Sequence, residues 1–132
     1  MAWQSYSLDQ EAHDLALKYR EDKDAAKEAH KMRMTVAYGL ERFWGEHLRL
    51  EGSSKGDYWQ DTWQALHDIL ALAGINLPND EVSSNDTEAI EAMAAKIWAF
   101  PTNHSKVALA ILTQLCDSMV WWTQRYKKRQ AD

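Results

Sequence analysis

One cysteine, Cys116, stands among the 132 residues. A lone cysteine excludes a disulfide framework or a cysteine-built metal centre within the chain. Prolines number two and glycines five. Both Pro78 and Pro101 fall at breaks between hydrophobic patterns, which leaves the helical periodicities free of proline. Alternating runs of β-branched residues are missing, and with them the signal for strands. No apolar run approaches the ~20 residues of a membrane span. Met1 to Asp9 lacks the basic-then-apolar order of a signal peptide, so a cytoplasmic protein without membrane contact is expected. A glycine-rich phosphate loop and a Ser-His-Asp pattern are also absent. His13, His30, His47, His67 and His104 form no HExxH and no i, i+4 pair, so the spacing points to no metal and no cofactor.

What the chain does have is acid, tryptophan and helix. Twenty acids stand against 15 bases, a net charge of −5. This excludes a positively coated protein that binds nucleic acid indiscriminately and confines any polyanion contact to a local surface. Seven tryptophans and five tyrosines exceed what a small domain hides completely. Some of Trp3, Trp44, Trp59, Trp63, Trp98, Trp121 and Trp122 are therefore expected to meet a partner.

The hydrophobic spacing predicts an all-α, single-domain bundle of four to five helices over residues 1–132, led by a long N-terminal helix. That helix is expected from about Leu8 to Arg49. Ser7 is its N-cap and Gln10 completes the capping box. Its apolar stripe is Leu8, Ala12, Leu15, Tyr19, Ala26, Val36, Leu40 and Phe43, interrupted at Asp22 and Arg33. Asp22 is the alternative break point. Gly39 either costs about 1 kcal/mol inside the helix or marks a close approach. Residues 51–57 (EGSSKGD) read as a flexible connector. A second helix is expected over Tyr58 to Ala73, burying Trp59, Trp63, Leu66, Leu70 and Ala73 and closed by Gly74. After a loop over 75–86, Ser84, Asn85 or Asp86 caps a third helix from Thr87 to Ala99. It buries Ile90, Met93, Ala94 and Ile97 with Trp98, and Phe100-Pro101 stops it. The last helix is expected over Asn103 to Lys128. Its main face is Val107, Ile111, Leu115, Met119, Trp122 and Tyr126, widened by Ala108, Leu112 and Trp121. A face this wide belongs at the centre of a bundle or against another chain. Lys127-Lys128-Arg129 adds a basic cluster, and 128–132 is expected to fray.

Arg20, Lys23, Lys27, Lys31, Arg42 and Arg49 fall close to steps of 3.6 residues, with Met34, Tyr38 and Gly45 between them. On one unbroken helix they would share a face about 43 Å long, matched to a line of phosphates. Lys23, Lys27 and Lys31 stand four apart and repel one another, which an anionic partner would relieve. The alternative is a solvated face, with Asp24 pairing to Arg20 and Lys27 and Glu28 to Lys31. Other constellations are weaker. The acid pairs Glu11/Asp14, Glu21/Asp24, Asp57/Asp61 and Glu88/Glu91 have the spacing of Mg²⁺ sites in helical pyrophosphatases, but they lie on polar faces or in a first helical turn. His13-Asp14 and His67-Asp68 are sequence neighbours whose side chains are expected to point apart. Arg42 and His47 fit the Arg-x4-His spacing of the HEPN class of helical ribonucleases, in which the arginine holds phosphate and the histidine moves protons. Cys116 lies among apolar positions and is expected to be an inert thiol.

The last helix reads Leu112-Thr113-Gln114 and then Trp122-Thr123-Gln124-Arg125-Tyr126. This resembles the end of the small helical subunits of type III, Cmr-type CRISPR effector complexes, which close with Leu-Thr and then Trp-x-x-Arg-aromatic. Gly39-Leu40 is similar to the Gly-Leu of that family's first long helix, although Arg42 stands where the family tends to have Gln and Glu46 where an aromatic is usual. The resemblance implies a subunit without catalysis that stacks with copies of itself and with other effector subunits, and that contacts guide RNA and target nucleic acid. Arg125 matches the family's terminal arginine. The stripe supplies Arg20, Lys23, Lys27, Lys31, Arg42 and Arg49 as the other nucleic-acid contacts, and Trp59, Trp63, Trp121 and Trp122 are assigned to subunit interfaces. A ribonuclease using Arg42 and His47, and a protein–protein adaptor with solvated charges, are the alternatives.

Overall fold

The computed structural model describes residues 2–126 and is helical, with no strand among them. The elements are α1 (Ala2–Tyr19), the single turn α2 (Lys23–Ala26), α3 (Glu28–Thr35), a 3-10 turn (Val36–Tyr38), α4 (Leu40–Arg49), α5 (Ser54–Leu72), α6 (Thr87–Trp98) and α7 (Thr102–Tyr126). The tail cluster Lys127-Lys128-Arg129 lies outside the described residues.

The long helix expected from Leu8 to Arg49 does not form. Two residues break it. Asp22 takes an extended conformation (φ −96°, ψ 98°), and its carboxylate accepts the Ala25 N–H at 3.0 Å. This side-chain cap competes with continuation of the helix and wins. Gly39 takes φ +97° with ψ 173°, a conformation open to glycine, and restarts the chain as α4. Lys27, between α2 and α3, keeps helical angles (φ −66°, ψ −20°), so these two follow one another nearly continuously. At the other end, Ser7 is inside α1 rather than at its cap, because nothing in 2–7 stops helix formation.

One cluster of buried apolar side chains draws on every element. The expected stripe is largely buried (Leu8, Ala12, Leu15, Tyr19, Val36, Leu40, Phe43), as are Trp59, Trp63, Leu66 and Leu70 of α5 and Met93, Ala94 and Ile97 of α6. Ala73 is exposed instead, and so is Trp98 at 72 %. Helix α7 is rotated from the expected setting. Its buried line is Ala108, Leu112, Leu115, Cys116 and Met119, while Val107 is exposed. The reason is that α7 packs between α1 and α3. Asp9 meets Trp122 and His13 meets Tyr126, so α1 runs in the same direction as α7. Arg33 meets Asp117 and His30 meets Gln124, so α3 runs against it.

Buried polar groups tie these layers. Glu28 is 1 % exposed. Its Oε1 accepts the Trp59 indole N–H at 2.8 Å, and Lys31 Nζ lies 3.3 Å from Oε2. This joins α3 to α5. Tyr19 stacks on Tyr58 (centroids 4.3 Å, 16°) and donates to Asp61 at 2.6 Å, where Lys18 also donates at 2.7 Å. Burial pushes both phenols up, keeping them protonated.

The 51–57 segment is not a flexible connector. Helix α5 begins at Ser54, and Ser53 caps it by accepting the Gly56 N–H at 3.2 Å while donating to the Leu50 carbonyl at 2.6 Å. A Cβ on Gly56 would collide with that carbonyl, lying 2.8 Å from its carbon. The 75–86 loop is also anchored. Leu77 is buried, Trp63 donates to the Pro78 carbonyl at 3.1 Å, and Lys96 pairs with Asp80. Glu51 accepts from the Ser84 hydroxyl and N–H, which hold its carboxyl below the usual range. Of the three expected caps for α6, Asp86 is the one used.

Two substitutions test this frame by urea unfolding. Glu28→Ala strands the Trp59 N–H in the core and should cost about 1–3 kcal/mol, whereas Glu28→Gln, which can still accept it, should cost about 1 kcal/mol or less. Gly56→Ala should cost about 1–3 kcal/mol through overpacking against Leu50; an unchanged midpoint would show that the α4–α5 corner yields.

Candidate nucleic-acid interface

The end of α7 gathers aromatic rings and cations where it lies along α1. Trp122 is half-buried and donates its indole N–H to Asp9 at 3.3 Å. The His13 ring meets it edge-on, centroids 4.6 Å apart at 79°. His13 Nδ1 lies 3.1 Å from an Asp14 oxygen and Nε2 lies 2.6 Å from the Tyr126 hydroxyl. A carboxylate only accepts, so neutral His13 carries its proton on Nδ1 and takes the Tyr126 O–H at Nε2. Trp121 stands edge-on to Trp122 at 4.8 Å and 87°. The Arg125 guanidinium lies 4.9 Å from the Trp121 ring centre and 5.7 Å from that of Trp122. Arg20, at the end of α1, lies 6.0 Å from the Tyr126 ring. Cations over ring faces in this range are attracted by the ring quadrupole.

Four of the sequence-assigned residues therefore converge: Arg20, Arg125, Trp121 and Trp122. The rest scatter. Lys23, Lys27 and Lys31 remain an exposed row along α2–α3, about 12 Å long by helical rise. Lys31 pairs with Glu28, while Lys23 and Lys27 form no ion pair among the described residues. Arg42 lies over Tyr38 at 5.4 Å, beyond the Gly39 break. Arg49 is held by Glu46 at 2.9 Å. The 43 Å cationic face is thus replaced by a short row and separate arginines, because Asp22 and Gly39 redirect the chain.

Trp59 and Trp63 cannot serve as subunit contacts. Each is 2 % exposed, packed against Phe43 at 4.9 and 6.4 Å. Tyr126, His13, His30 and Gln124 join the edge without having been singled out for it. Tyr126 was visible only as a member of the α7 stripe, and nothing in the sequence says which helix His13 would meet. The expectation that His13 and Asp14 point apart is corrected, as is that for His67 and Asp68, whose Nδ1···Oδ1 distance is 3.2 Å. Adjacent helical side chains are 100° apart, and long enough here for their tips to meet.

The other constellations stay separate. His47 is 8 % exposed and donates from Nδ1 to the Trp44 carbonyl at 2.5 Å, whereas Arg42 faces solvent. Five residues turn the helix through about 140°, so the pair diverges within one chain. Cys116 is fully buried, and burial pushes its thiol up to about 12. Among the described residues, no group of three or more His, Cys, Asp and Glu is placed to hold a metal, and no helix is long and apolar enough to cross a membrane. An open cleft of about 410 Å³ between α1 and α5 is lined by Gln10, Glu11, Asp14, Asp68, Ile69 and Leu72. Burial, then Asp68 and Asp14, raise the Glu11 carboxyl above 4.5.

No family model, curated protein or solved structure matches the chain.

The acidic cleft makes a pH prediction. The native state holds the Glu11 proton more tightly than the unfolded chain, so ionising Glu11 removes stability as pH rises through the raised value. Glu11→Gln should therefore raise Tm at pH 7, and the gain should vanish below about pH 3.5, where both forms are neutral. A gain independent of pH would point to packing instead.

Proposed function

We propose that this chain is a non-catalytic subunit of an RNA-guided effector ribonucleoprotein, contacting the phosphate backbone of guide or target RNA. The observation that carries the reading is the meeting of Arg20 and Arg125 on one aromatic edge, although they come from different helices. The segment Trp122-x-x-Arg125-Tyr126, which resembles the close of the Cmr-type small subunits, is the segment that builds this edge. Lys23 and Lys27 add exposed charge that pairs with no carboxylate among the described residues. Guanidinium groups suit phosphate because they are always charged and present several donors in a fixed plane. The acidic cleft between α1 and α5 would repel the same strand, so an acidic chain can still hold RNA in one orientation. In this reading the other effector subunits, and copies of the chain, extend the track.

A protein–protein adaptor is the second reading, favoured by the exposure of Trp98 and Trp121. It predicts no RNA affinity at low salt.

Binding of a labelled single-stranded RNA, followed by anisotropy across a salt series, separates the two. Lys27→Glu with Arg125→Glu should weaken binding and reduce the slope of log K against log salt by about 1 for each phosphate no longer neutralised. An unchanged affinity and slope would discard the reading. Guide-length RNA recovered with the tagged chain from its native cell, together with larger subunits, would place it in such a complex.

A further inference from the structure

We infer that the Trp121 indole, braced by Arg125, seats one unpaired base of the bound strand, so that the chain takes single-stranded RNA in preference to duplex. This rests on the reading just proposed and adds the form of the nucleic acid and the residue that selects it.

Trp121 is 53 % exposed on a well-formed helix, where an indole would ordinarily be covered. It is nevertheless held in place. Trp122 meets it edge-on, and Arg125 lies over the ring from one turn further along α7. A ring fixed by its neighbours but left open loses little freedom when a planar ligand stacks on it. The other two rings of the edge are engaged. Trp122 is half-buried with its N–H on Asp9, and Tyr126 gives its hydroxyl to His13.

The surroundings fit a nucleotide better than an apolar protein surface. The exposed neighbours of Trp121 on α7 are Gln114, Asp117, Gln124 and Arg125, all polar. A single ring in polar company is a poor hydrophobic dock but a good stacking platform, since every base has a π-face. Of the carboxylates near the edge, Asp117 is matched by Arg33 at 2.5 Å and Asp9 accepts the Trp122 N–H. Among the described residues, Arg125 over the Trp121 ring and Arg20 over Tyr126, the latter also 3.6 Å from a Glu21 oxygen, are the cations that flanking phosphates would meet at this edge. In a duplex the base faces are already stacked, so this seat would go unused.

The test compares three labelled probes on the full chain: an oligouridylate of about 15 nucleotides, an abasic ribose-phosphate strand of the same length, and a duplex of that length. The wild type should bind the oligouridylate about 5- to 100-fold more tightly than the abasic strand, and in preference to the duplex. Trp121→Ala should bring oligouridylate down to the abasic level with the salt slope unchanged, and Trp121→Phe should recover part of the loss. Thermal melts of both variants should match the wild type, because the ring lies outside the core. If Trp121→Ala binds like the wild type, or the abasic strand or the duplex binds as tightly as oligouridylate, the seat is overturned while the phosphate reading stands. If no probe binds at about 50 mM salt, both fail together.

Discussion

An aspartate side chain that accepts a backbone N–H three residues ahead contributes on the order of 1 kcal/mol. At Asp22 that interaction sets the course of the chain. It ends the run of helix that begins with α1 and turns the next segment back, so that α1 and α3 can both lie on α7. Were the helix continuous, α1 and α3 would point away from each other along one axis. The short loop instead lets α7 be sandwiched, and its buried line follows from having a neighbour on each side.

The same turn determines where the charges go. A continuous helix would have spread six cations along one face. The broken one brings Arg20 to the end of α7 beside Arg125 and keeps three lysines as a short row. It also carries Glu28 into the core, where the Trp59 N–H satisfies Oε1 and the Lys31 ammonium, 3.3 Å from Oε2, offsets the charge. The polar stretch of the N-terminal region thus has two roles. Its outer side carries the exposed lysines, while Glu28, Ala25, Ala29 and Met32 are buried against the remaining helices.

Much of the architecture was legible. The absence of strand signals, the periodicity of α5 and α6, and the stops at Gly74 and Pro101 all correspond to observed elements. What was hidden has physical causes. Asp22 can sit in a helix or cap one, and only the packing of α1 decides between them. Gly56 reads as a loop glycine until the Leu50 carbonyl is seen against it. The apolar face of α7 is too wide for its pattern to fix a rotation. Composition announced a surplus of indoles but could not say which. Trp59 and Trp63 went to the core, whereas Trp121 and Trp98 stayed outside. The candidate edge was partly legible, through Arg20, Arg125, Trp121 and Trp122, because rings and cations recur at helical spacing. His13 and Tyr126 entered it through a contact between distant segments that no local pattern encodes.

The seam between α1 and α7 joins residues 113 positions apart, as in the bonds from His13 to Tyr126 and from Trp122 to Asp9. During synthesis α1 emerges long before the helix that covers it. Its apolar side must wait, uncovered or lent to α5, until almost the whole described chain has left the ribosome. Contacts of such separation form late and slow the search for the native state. A growing chain of this kind offers α1 to chaperones, or to the same helix on a neighbouring ribosome, until α7 emerges. The aromatic edge is therefore assembled only once α7 has been made.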